Sequence, residues 1–240
     1  MITIRQAQIG YINSLVAIER LELSPGRIYV LVGRNGSGKS TLLRTLIGQQ
    51  KLLAGDLHIN GHSVKDIQEN SALRARQIAF VSSMFTGVEA LTLNAYVALG
   101  RVPHLGPFGR MQAEDWQLVD QTLHDLQIAH LATKATKQLS DGEKQLASLA
   151  RAIVQDTPVL ILDEPTSFLD FFNRVLLLDQ LQKWVEKRPD RTVVLSSHDL
   201  ELCFEKQISM LVLANKQLEL IEKPDKTKVL TLFGTDGLSV

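Results

Sequence analysis

The chain has 240 residues, enough for one large domain or for a core with a subdomain. Apolar residues make up 45% and charged residues 22%, an ordinary globular composition, and 26 basic residues offset 26 acidic ones. That balance excludes a general electrostatic attraction to nucleic acid or to an anionic membrane, and the single cysteine, Cys203, excludes an internal disulfide.

Met1-Ile2-Thr3-Ile4-Arg5 alternates like a half-buried strand from the first residue, a pattern unlike a secretory leader. No stretch approaches the roughly 18 consecutive apolar residues of a membrane helix, so a cytosolic chain is expected. The segment to about Glu22, together with Gly55 to Asn60, predicts antiparallel strands beside a core, and Asn60-Gly61 signals a tight turn. Arg27 to Val32 reads as a buried strand. It leads into Gly33-Arg34-Asn35-Gly36-Ser37-Gly38-Lys39-Ser40-Thr41, which matches the phosphate-binding pattern G-x-x-x-x-G-K-[ST] at every fixed position. A helical pattern over Ser40 to Ile47 follows. A strand, a glycine turn and a helix start make an anion trap, because free amides and the helix dipole both favour negative charge there. Gly33, Gly36 and Gly38 let the main chain approach phosphates closely, with Asn35, Ser37 and Thr41 in the same loop. Lys39 would reach the β- and γ-phosphates, and the Ser40 hydroxyl would help to hold Mg²⁺.

Ile78 to Val81 reads as a further strand. From about Phe85 to Gln155 the texture turns helical: Leu118, Val119, Leu123 and Leu126 recur at helical spacing, as do Leu146, Leu149, Ile153 and Val154. Arg101 to Arg110, with two prolines and two glycines, reads as a loop. Ser140 and Glu143 form a capping box at a helix start, and such a start is also a phosphate site. Val159 to Leu162 is an apolar strand ending in Asp163-Glu164-Pro165. Two acids at a buried strand end are costly unless a cation or a reaction uses them. Asp163 would hold Mg²⁺, directly or through water, and Glu164 would act as general base on the attacking water. Val193 to Leu195 delivers His198 in the same way. Strands alternating with helices predict an α/β fold with a parallel sheet, whose ligands bind beyond the carboxyl ends of the strands. Beyond Ile221 the pattern is weak, and Cys203 reads as a small buried residue on a helix.

The phosphate loop, Leu139-Ser140-Asp141-Gly142-Glu143, the Asp163-Glu164 strand, Ser167-Phe168-Leu169-Asp170 and Ser197-His198-Asp199 come in fixed order. Over nearly its whole length the chain resembles the ATP-binding subunit of an ABC transporter. The resemblance implies a P-loop NTPase (RecA-like) core with a flanking antiparallel β-subdomain and an inserted helical subdomain. Residues 1–84 and 156–222 would form the core with its β-subdomain, 85–155 the helical part, and 223–240 a C-terminal tail. It implies a homodimer in which each ATP lies between the phosphate loop of one copy and the start of the Ser140, Gly142 and Glu143 helix of the other. Asp170 would sit at the seam, His198 would contact the γ-phosphate and Tyr11 would stack on adenine. Leu99-Gly100-Arg101-Val102-Pro103-His104 resembles, more narrowly, an element of ATPases that power import of iron–siderophore complexes, haem or vitamin B12. This implies integral membrane permease subunits as partners, an indirect substrate-binding protein outside the membrane, no nucleic acid, and a peripheral position on the cytoplasmic face. A soluble ATPase of the same type acting on DNA or ribosomes, an ATP-dependent regulator, and an exporter remain as alternatives.

Two positions depart from the family pattern. A glutamine usually follows the strand over Ile78 to Val81; here Ser83 is aligned, and its shorter side chain would reach the metal only through a water. Asp141 replaces a common glycine, and its carboxylate would oppose an incoming phosphate unless it faces away or caps the helix.

Overall fold

β1 (Ile2–Gly10) and β2 (Ser14–Leu23) form an antiparallel pair in which Ile2 faces Leu23 and Ile4 faces Leu21. β3 (Arg27–Gly33) runs into the phosphate loop and α1 (Lys39–Leu46). β4 (Leu52–Ile59) pairs with β1 and turns through Asn60 and Gly61, both at positive φ (50° and 84°), into β5 (His62–Ser63). The predicted tight turn is therefore present. α2 (Val64–Glu69) and α3 (Ser71–Gln77) lead to β6 (Ile78–Val81). α4 (Leu93–Ala98), a 3₁₀ turn (Leu99–His104), α5 (Ala113–Asp125) and α6 (Asp141–Val154) follow. The chain closes with β7 (Val159–Leu162), α7 (Phe171–Glu186), β8 (Thr192–Ser196), α8 (Leu200–Glu205), β9 (Ser209–Ala214), β10 (Gln217–Ile221) and α9 (Lys226–Phe233). This computed structural model describes residues 1–85, 88, 90–106 and 108–233; the end of the expected C-terminal tail and part of the loop over Arg101 to Arg110 lie outside them.

Among the described residues all strands join one ten-stranded sheet in the order β5-β4-β1-β2-β10-β9-β3-β8-β7-β6. β9, β3, β8, β7 and β6 run parallel, while β5, β4, β1 and β2 form the antiparallel wing. The central strands carry apolar runs through their middles because both faces are covered. Ile28, Val30 and Val32 join the core under α4 to α7, whereas Tyr29 and Leu31 face α1 and the antiparallel wing. β7 and β8 divide in the same way, with Leu160, Leu162, Val193 and Leu195 on one side and Val159, Ile161 and Val194 on the other. Cys203 is buried on α8, and burial pushes its thiol up to about 12, so it serves as a small core residue.

The 3₁₀ turn Leu99–His104 supports the far end of α6. Arg101 Nη1 donates to the Val154 carbonyl at 2.7 Å and Arg101 Nε to Asp115 Oδ1 at 2.8 Å. His104 Nε2 lies 2.7 Å from the Gln155 carbonyl. These bonds occupy carbonyls that a helix end leaves without partners. Gly100 makes the approach possible: a Cβ there would fall on the Arg151 carbonyl and lie 2.6 Å from Val154 Cγ2. Gly100→Ala should therefore lower the urea unfolding free energy by about 1–3 kcal/mol, as overpacked cores do. An unchanged unfolding midpoint would contradict this packing.

Candidate functional site

The parallel registers bring three strand ends to one edge. Leu31 of β3 pairs with Ser196 of β8, and Leu162 of β7 pairs with Leu195 of β8, so Gly33, Asp163 and His198 emerge side by side. In the loop after β3, Gly36 and Gly38 take φ values of 75° and 108°. A Cβ on Gly33 would meet Ser37 Oγ at 2.8 Å, and one on Gly38 would press on Val16 Cγ2 at 3.0 Å. Only glycine fits both the space and the backbone at Gly38. Gly38 is the N-cap of α1 and offers no side-chain acceptor, so the first helical bond is Leu42 N to the Gly38 carbonyl, at 2.9 Å. The amides of Lys39, Ser40 and Thr41 thus have no partner within the helix.

Lys39 is buried at 6% exposure. Its ammonium donates to the Gly33 carbonyl at 2.7 Å and to the Arg34 carbonyl at 3.3 Å. Burial lowers its pKa from the usual lysine value, while Glu164 and Asp163 oppose that shift.

Asp163 is 8% exposed and accepts from Ser196 Oγ at 2.8 Å, while its own amide donates to the Val81 carbonyl of β6. Glu164 takes a φ of 49°, unusual for a residue with a side chain. Its carboxylate is engaged on both oxygens. His198 Nε2 lies 3.0 Å from Oε1, and Ser167 Oγ shares its one proton between the Glu164 carbonyl at 3.1 Å and Oε2 at 3.3 Å. Arg174 ties the surrounding loops together, donating through Nε to the Leu169 carbonyl at 2.8 Å and through Nη1 to Asp199 Oδ2 at 3.3 Å. Sequence reasoning singled out neither Ser196 nor Arg174, since both act through partners distant in the chain. A serine ending an apolar strand was the one available signal for Ser196.

The remaining candidates stand apart from this cluster. Ser140 Oγ accepts from the Glu143 amide at 3.2 Å and Glu143 Oε2 accepts from the Ser140 amide at 2.7 Å, the expected capping box. That amide bond, first of all, holds the Glu143 carboxyl below its usual range. Asp141 turns along the helix to pair with Lys144 at 3.1 Å. A Cβ on Gly142 would meet the Phe168 carbonyl at 3.1 Å, so the helix start packs on the loop that precedes Asp170. Asp170 itself is exposed and caps α7, accepting from the Asn173 amide at 2.8 Å. Tyr11 is 56% exposed in the β1–β2 turn, with Arg44 of α1 3.5 Å from its hydroxyl. Ser83 is half-buried just beyond β6. The structure thus joins Lys39, Asp163, Glu164 and His198 in one site and leaves Tyr11, Ser140 and Asp170 on the open surface around it.

Residues 18–167 match the family model described as ABC transporter. The chain is 32% identical to the achromobactin transport ATP-binding protein CbrD of Dickeya dadantii, over 98% of this chain and 88% of that protein. It is 33% identical to the iron(3+)-hydroxamate import ATP-binding protein FhuC of Bacillus subtilis, over 81% of this chain and 72% of that one. A solved inward-facing transporter of metal-chelate type contains a chain 28% identical to this one, with a TM-score of 0.79, covering 97% of this chain and 88% of its own.

Removing the Lys39 ammonium should weaken nucleotide binding itself. A charge-assisted hydrogen bond contributes about 1.5–3 kcal/mol. Lys39→Ala should therefore raise the ATP dissociation constant about ten- to hundredfold, read by calorimetric titration. Unchanged affinity would show that the phosphates lie elsewhere.

Proposed function

The chain belongs to the ABC transporter family, and from that premise we propose that it is the ATP-hydrolysing subunit that powers import of a chelated iron complex through a membrane permease. The observation that carries this reading is the cluster of Lys39, Asp163, Glu164 and His198 at the ends of three parallel strands, beside a glycine loop with free amides. A relative named for iron(3+)-hydroxamate import favours chelated iron over cobalamin as cargo, and a solved relative of metal-chelate type fits either.

Phosphoryl transfer to water needs positioning and charge neutralisation more than covalent chemistry. Lys39 would exchange its carbonyl partners for the β- and γ-phosphates. The amides of the loop, from Gly33 through Asn35, Gly36, Ser37 and Gly38 to Ser40 and Thr41, would surround them. Among the described residues no three His, Cys, Asp or Glu side chains form a cage for a metal. That fits Mg²⁺, which is commonly held by one or two carboxylates together with substrate phosphates and water. Asp163 and the Ser40 hydroxyl are the ligands offered here, with Ser83 reaching it through a water, and Mg²⁺ when bound would neutralise phosphate charge. Glu164 would take the proton of the attacking water, and His198, already beside that carboxylate, would orient it and contact the γ-phosphate. Tyr11, exposed at the rim, would stack on adenine.

The open side of the site would be closed by a second copy presenting Ser140, Gly142 and Glu143, with Asp170 at the seam. Asp141, paired with Lys144, would be turned from the incoming phosphate. The helices within residues 85–155 would move as a unit on the core formed by 1–84 and 156–222. No helix of the described residues is long and apolar enough to cross a membrane, so attachment to the cytoplasmic face would come through the permease. An external binding protein would meet the permease alone.

Glu164→Gln should keep ATP and Mg²⁺ binding and lose turnover by about 10²–10⁴-fold, the usual contribution of a general base. Phosphate release at the parent rate would remove Glu164 from that role. Restoring the common glutamine, in Ser83→Gln, should raise the turnover of the isolated chain; an equal rate would show that this departure does not govern hydrolysis. Recovery of the tagged chain with a polytopic membrane protein separates transport from a soluble or regulatory ATPase, which would be recovered without one.

A further inference from the structure

Ser196 is the last residue of β8 and is fully buried at 0% exposure. Every strand residue between Thr192 and Ser196 is aliphatic, and packing alone would accept one more at this position. A serine hydroxyl carries one proton and two acceptor lone pairs, and here both capacities are used on neighbouring residues. Ser196 Oγ donates to Asp163 Oδ1 at 2.8 Å and accepts from the Glu164 amide at 2.8 Å. One atom therefore binds the side chain of the first acid and the main chain of the second.

We propose that Ser196 is a positioning residue for hydrolysis: its hydroxyl sets the orientation of Asp163 and holds Glu164 in the backbone conformation that presents its carboxylate to His198. This deepens the ATPase reading above and rests on it. Two features of the site make the hydroxyl decisive. Glu164 sits at a φ of 49°, a region that costs free energy for a residue with a Cβ and persists only where neighbours hold it. The Ser196 bond to its amide and the Ser167 bond to its carbonyl, at 3.1 Å, hold the residue on both sides of its Cα. Asp163 is nearly buried, so its carboxylate orients to the donors it finds. Ser196 takes Oδ1 and leaves Oδ2 for the cation. An apolar residue at 196 would leave the Glu164 amide without this acceptor and free Asp163 to rotate. The phosphate loop, which lies on another strand end, would be untouched.

The test compares Ser196→Ala with the near-isosteric pair Ser196→Thr and Ser196→Val in the full chain. Three quantities are read: phosphate release, ATP affinity by titration, and the Mg²⁺ concentration that gives half of the ATP-induced rise in melting temperature. Ser196→Ala should lose at least about tenfold in kcat, equivalent to ~1.4 kcal/mol. Its ATP affinity without metal should stay within about threefold of the parent, and the Mg²⁺ midpoint should move to higher concentration. Ser196→Thr, which keeps the hydroxyl, should turn over well above Ser196→Val at equal bulk. The proposal is overturned if Ser196→Ala keeps the parent kcat and Mg²⁺ midpoint, or if threonine and valine lose activity alike. A parent chain that releases no phosphate would instead overturn the ATPase reading, and the Mg²⁺ midpoints of the three variants would still decide whether Ser196 positions Asp163.

Discussion

A buried ammonium held by main-chain carbonyls organises the site. Lys39 is withdrawn from water at the first turn of α1, a position where the helix dipole favours negative charge, not positive. Such a cation is tolerable only with partners, and the protein supplies the carbonyls of Gly33 and Arg34 and the nearby charges of Asp163 and Glu164. The glycines at 33, 36 and 38 serve the same end: they fold the loop tightly enough for its carbonyls to reach the ammonium. Carbonyl partners are weaker for an ammonium than phosphate oxygens, so under the proposed function Lys39 would exchange them for a nucleotide's phosphates.

The sheet extends this constraint. Parallel pairing of β3, β8 and β7 fixes the spacing between the loop, the two acids and His198, and apolar packing on both faces keeps the strands from sliding. α6 begins at Ser140, exposed as its N-cap, and its opposite end is anchored by Arg101 and His104. Residues far from the phosphate loop in the chain therefore bear on the orientation of the helix whose start would face a second copy.

Some of this is legible in the sequence because it obeys fixed local patterns. The apolar runs of β3, β7 and β8, the glycine loop and the Ser140–Glu143 box each declare themselves within a few residues. β9 and β10 went unassigned although Met210 to Leu213 is an apolar run and Asn215-Lys216, both at positive φ, makes a tight turn between them. The short polar hairpin hides there because Gln217 to Ile221 alternates over only five residues. The weakly patterned segment after Ile221 carries α9, held by the buried Val229 with Leu232 and Phe233 partly buried beside it, too little periodicity to read. Ser196 and Arg174 were silent for a different reason. Their roles depend on which strand or turn lies beside them, and register is a property of the folded sheet. Asp141 illustrates the reverse: its identity looked unfavourable next to a phosphate, and its pairing with Lys144 supplies the local cause that turns it aside.

The most direct test of the account is a structure of the chain with Mg-ATP bound. The account predicts that the Lys39 ammonium leaves the Gly33 and Arg34 carbonyls for the β- and γ-phosphates, with Glu164 and His198 facing the terminal phosphate. A bound nucleotide whose phosphates lie away from the loop, with Lys39 still on its own carbonyls, would contradict it.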